Sequence, residues 1–85
     1  MTIQIYALIW FGGNEEKVIT DYFDNEKEAQ EKWNKLFDRY EKANCKAEMY
    51  AIKNNENNVR PEKRYGASPI IKGQTIGQAV IGNYA

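Results

Sequence analysis

The sequence predicts a small α+β domain of β-β-α-β order. Its strands form an antiparallel sheet of order 2-1-3, with one helix on one face and an ordered C-terminal extension. Three observations predict it. Two apolar stretches, residues 2–11 and 17–23, flank Gly12-Gly13-Asn14, which reads as a hairpin turn. Between residues 26 and 44 apolar side chains recur at three- and four-residue steps, the signature of an amphipathic helix. A third alternating stretch, residues 46–52, follows that helix.

Strand one spans Thr2 to Phe11. Ile3, Ile5, Ala7, Ile9 and Phe11 occupy its odd positions, and Gln4, Tyr6, Leu8 and Trp10 its even ones. Both faces are apolar or amphipathic, which places the strand in the middle of a sheet. Strand two, Lys17 to Phe23, carries Val18, Ile19, Tyr22 and Phe23.

The helix starts after Asn25, with Glu28 three residues on in a capping-box spacing, and runs to about Asn44. Ala29, Trp33, Leu36, Phe37, Tyr40 and Ala43 form its apolar stripe. Glu28–Lys32, Glu31–Lys35 and Asp38–Lys42 stand in the favourable i,i+4 order. Strand three, Lys46 to Ile52, alternates Ala47, Met49 and Ala51 with Glu48, Tyr50 and Ile52. A strand entered after the helix runs parallel to strand two, so it pairs antiparallel with strand one on the other side.

One helix covers one face of such a sheet. With Ile3, Ile5, Ala7 and Ile9 turned to Trp33 and Leu36, the side chains of Tyr6, Leu8, Trp10 and Tyr50 fall on the opposite face. Something must cover them. The stretch "IIKGQTIGQAVIG", residues 70–82, holds the remaining aliphatic side chains and follows the last acidic residue, Glu62. The 85 residues therefore divide into a core (1–53), a loop (54–69) and a packed extension (70–85) within one domain. Thr75-x-x-Gln78 followed by Gly82 suits a short capped helix, and the same residues suit a strand.

Composition removes most chemistry. The chain has no histidine, one cysteine (Cys45) and one serine (Ser68), so Ser-His-Asp, Cys-His and Cys/His zinc arrangements are all excluded. Carboxylate chemistry through Glu15/Glu16 or Asp21/Asp24 is outweighed by surface and capping roles, since Glu15 and Glu16 fall in the turn and Asp24 beside the helix start. No catalytic residue, metal or cofactor is expected. Lys72 precedes Gly73 and not the reverse order that a phosphate loop requires.

Net charge is zero, with −3 over residues 1–42 and +3 over 43–85. That imbalance is far from the basic surface of a dedicated nucleic-acid binder. The single cysteine suits a reducing compartment, and no stretch reaches the ~20 apolar residues of a membrane helix. A cytoplasmic protein without membrane contact is expected.

Two contact surfaces follow. The aromatic face of Tyr6, Leu8, Trp10 and Tyr50 has the composition of protein interfaces. The segment "VRPEKRYG" sets Arg60, Lys63 and Arg64 beside Tyr65, a combination able to hold a phosphate or stack a base. In size, composition and want of histidine the chain is similar to small accessory proteins of bacteriophages and other mobile elements. That likeness has no motif and brings no residue role; it implies anti-defence or host takeover as one form of partner binding. The expected function is non-enzymatic protein binding, as inhibitor or adaptor, in a homodimer. Two alternatives stand beside it: weak nucleic-acid binding through residues 59–66, and an oligomer that sequesters a small anionic ligand on Arg60 or Arg64.

Overall fold

The computed structural model describes residues 1–11, 15–43, 45–56 and 70–82. The elements follow as β1 (Thr2–Phe11), β2 (Glu15–Phe23), α1 (Glu26–Lys42), β3 (Lys46–Asn54) and β4 (Gln74–Ile81). The expected turn at Gly12-Gly13-Asn14 and the crossing segment with Pro61 and Pro69 lie outside the described residues.

All strand pairs are antiparallel, in the order β2-β1-β3-β4. The 2-1-3 order is present and is lengthened by β4 on the far side of β3. β1 takes the centre of its trio because both of its faces are buried through most of its length. Ile3, Ile5, Ala7 and Ile9 are at most 1% exposed beneath α1, and Thr2, Gln4 and Tyr6 are buried on the other side. The register sets Ile5 opposite Asp21 and Ala51, and Tyr6 opposite Thr20 and Tyr50.

Asn25 caps α1 as its position suggests. Its backbone is extended, and its Oδ1 accepts from the Lys27 N–H at 2.7 Å and the Glu28 N–H at 3.3 Å. Glu26 and Glu28 in the first turn and Arg39 and Lys42 in the last both complement the helix dipole. The stripe is narrower than its sequence pattern. Ala29, Leu36 and Tyr40 are buried, Trp33 is half-buried, and Phe37 and Ala43 are exposed. Phe37 lies about 100° round the helix from Leu36, off the line that meets the sheet. Alanines at 7, 29, 47 and 51 let helix and sheet close together, and Met49 fills the space among them.

Of the possible covers for the second face, the C-terminal stretch is mostly not one: of its two suitable states it takes the strand, and it extends the sheet. β4 pairs with β3 from Ala47↔Ile81 to Lys53↔Gln74, with a bulge that leaves Ile76 as the extra residue. Of the approach to β4, only Ile71 is buried, and its N–H reaches the Gln4 side chain on the second face. Backbone pairing wins over face covering because β3 would otherwise leave a whole row of N–H and C=O groups unpaired.

Two glycines frame β4. A Cβ on Gly73 would collide with the Lys53 carbonyl, and one on Gly82 with the Cys45 carbonyl; Gly82 also has φ +81°. Gly77 differs, since an added Cβ would rest 3.4 Å from the Ala51 Cβ and 3.6 Å from the Trp33 ring. Gly82→Ala should therefore cost about 1–2 kcal/mol, the scale of backbone strain at such a position. Gly77→Ala should be neutral or stabilising by up to about 1 kcal/mol. Urea denaturation of both variants checks the contrast, and equal costs would contradict it.

Candidate contact surface

Opposite α1, the sheet presents a face that changes character from end to end. At the end built from the start of β1, Thr2, Gln4, Tyr6, Ile52 and Ile71 are buried. The Gln4 amide joins this end together, accepting from the Ile71 N–H at 2.7 Å and lying 3.4 Å from the Tyr22 hydroxyl. At the other end Leu8, Trp10, Val18, Thr20, Lys46, Glu48 and Tyr50 are half-buried, and Val80 is 62% exposed.

Period-two alternation and the register bring these side chains together. Leu8 faces Val18 and Glu48 across the strands, Trp10 faces Lys46, and Tyr50 faces Tyr6 and Gln78. The Lys46 ammonium lies 5.3 Å from the Trp10 ring centroid, within range of a cation–π contact. The Tyr50 hydroxyl lies 3.5 Å from Glu48 Oε2. Burial pushes the Tyr50 hydroxyl pKa up, and the neighbouring Glu48 carboxylate raises it further. Tyr50 is thus held neutral as a hydrogen-bond donor at the edge of an apolar patch.

Of the expected contact residues, Tyr6, Leu8, Trp10 and Tyr50 do share one face. Tyr6 is only 7% exposed and forms the floor, so the accessible part is Leu8, Trp10 and Tyr50 with Val80. Arg60, Lys63, Arg64 and Tyr65 lie outside the described residues.

A second concavity lies on the helix side and was not visible in the sequence. It is a groove of about 430 Å³ between α1 and β4. Ile3, Ile5, Ala29 and Ala51 line its apolar part, with Trp33 on α1 and Ile76 and Gly77 on β4, and Gln30, Gln78, Glu26 and Lys53 add polar groups. Lys53 Nζ bonds Glu26 Oε1 at 2.6 Å, and this hydrogen bond with the lysine charge holds the Glu26 carboxyl below the usual range. Gly77 is the one sequence trace of this groove, because a residue without a Cβ leaves room beside the Trp33 ring.

Among the described residues no three His, Cys, Asp or Glu side chains gather as a metal site, and no helix is long and apolar enough to cross a membrane. No protein-family model matches the chain, and no curated protein or solved structure shows significant similarity to it.

Proposed function

We propose that the protein is a non-enzymatic binding module for another protein, working as an adaptor or inhibitor through the open end of the face opposite α1. One observation carries the reading. Trp10, Tyr50 and Leu8 remain half-buried on a face where α1 cannot reach them, with exposed Val80 beside them. Large rings already fixed between neighbours lose little side-chain entropy on binding, and they bring much area with a polar tip. Glu48 and Lys46 border the patch and supply charges of both signs for orientation.

Trp10 is the anchor in this reading. Trp10→Ala should weaken partner capture by about 2 kcal/mol or more, the scale of an interface hot spot, while Trp10→Phe should retain part of it. The measurement is retention of host proteins on immobilised wild type and variants, quantified by mass spectrometry, with circular dichroism confirming that each variant is folded. Equal retention by wild type and Trp10→Ala would reduce the aromatic face to core. Binding that collapses steeply with added salt would point to nucleic acid instead.

A further inference from the structure

The groove between α1 and β4 runs from an ion pair to an aromatic ring. Glu26 and Trp33 stand on its α1 wall seven residues apart, which is about 10.5 Å along the helix axis. At the Glu26 end is the ion pair with Lys53, which β3 holds in register between Ile3 and Gln74. At the other end the Trp33 ring comes close to Gly77, where the absent side chain leaves room. The volume, about 430 Å³, is that of a small-molecule site.

We propose that this groove binds a medium-chain alkyl carboxylate, with the head group on Lys53 and the chain laid along Ile76 toward Trp33. The site lies on the opposite side of the sheet from the aromatic contact face and does not rest on the protein-binding reading.

Charge selects the head group. Among the described residues, Glu26 and Lys53 are the only charged ones that line the groove, and they are not equal. The Lys53 side chain is 29% exposed and that of Glu26 is 63% exposed. Glu26 is the first residue of α1, so its carboxylate can turn into water without moving the helix. The Lys53 ammonium carries three N–H donors and no acceptor, and Glu26 Oε1 takes one of them at 2.6 Å. An incoming carboxylate can share Lys53 or replace Glu26 on it at little cost, because so exposed an ion pair contributes little stability. An incoming ammonium would have to displace Lys53, the more enclosed partner of the two. An uncharged head group gains neither contact.

The rest of the groove selects an apolar tail. Its floor between the ion pair and Trp33 is Ile5, Ala29 and Ala51, all buried. The walls are less covered: Ile76 is 49% exposed, and the Trp33 ring is half-buried. A chain laid between those two side chains takes the apolar surface of both out of water. Head and tail act together, since the charge lies at one end of the groove and the apolar surface continues from it.

The test reads Trp33 alone. The chain has two tryptophans, so Trp10→Phe leaves Trp33 as the sole indole and removes the ring of the other face. Circular dichroism confirms that this background and each variant in it are folded. Titration with octanoate over the micromolar to millimolar range should move the Trp33 emission to shorter wavelength and saturate. Acetate, which has no chain, should leave the emission unchanged over the same range. Octanol and octylammonium should bind about tenfold or more weakly than octanoate, the scale of a hydrogen bond to a charged group. Lys53→Gln should abolish the preference for octanoate over octanol. Glu26→Gln removes the competing carboxylate and should tighten octanoate binding about two- to fivefold. An emission that does not saturate overturns the proposal, and so does octanol or octylammonium binding as tightly as octanoate. Octanoate binding that Lys53→Gln leaves unchanged, or that Glu26→Gln weakens, also overturns it.

Discussion

Leu36→Ala should lower the unfolding free energy by about 2–5 kcal/mol, the range for removing a fully buried leucine. Leu36 is 3% exposed, and with Tyr40 it is one of only two large side chains that α1 buries in the core. It belongs to one buried cluster with four alanines, Ala7, Ala29, Ala47 and Ala51, and with Ile5, Ile9 and Met49. The alanines have no further side-chain atoms to move into the space, whereas Met49 can fill part of it, so the cost falls within this range and not at its top. A domain of this size holds only about 5–15 kcal/mol, so the variant should melt about 10 °C lower or more. Thermal and urea denaturation followed by circular dichroism measure it. A cost below about 1 kcal/mol would mean that α1 meets the sheet along a different stripe.

That leucine was legible because two periods agreed on it. Steps of three and four along α1 and steps of two along β1 each select a single face, and the two faces must meet. The same logic placed Tyr6, Leu8, Trp10 and Tyr50 together on the other side. The logic failed where no period was dominant. In β4 Ile76, Ala79 and Val80 are spaced as on a helix, too few to fix a period, Ile81 breaks the spacing, and Thr75-x-x-Gln78 resembles a helix cap. Its strand state comes from pairing with β3, a tertiary cause with no local trace except Gly73 and Gly82. Trp33 belongs to the apolar stripe and is still half-buried, because the groove beside β4 leaves part of its ring uncovered. That groove draws on β1, α1, β3 and β4, so no single window of sequence contains it.

Gln4→Ala should cost about 2–4 kcal/mol, combining a cavity with a buried amide hydrogen left unpartnered. A glutamine with no solvent exposure in a central strand looks like a misplaced polar group until its contacts are traced. Its Oε1 accepts from the Ile71 N–H at 2.7 Å, and Ile71 is itself buried just before β4 begins. Gln4 is therefore the point at which the chain entering β4 is fastened to β1, 67 residues earlier. Gln4→Leu keeps the volume and removes only the hydrogen bonding, so it should cost about 1–3 kcal/mol. The difference between the two variants isolates the cavity. Amide hydrogen exchange gives the local readout: the Ile71 N–H should exchange faster in both variants, whereas central amides of β1 and β3 should slow or quicken only with global stability. If Gln4→Leu matched the wild type in stability and left Ile71 protected, the fastening would belong to apolar packing of Ile71 alone.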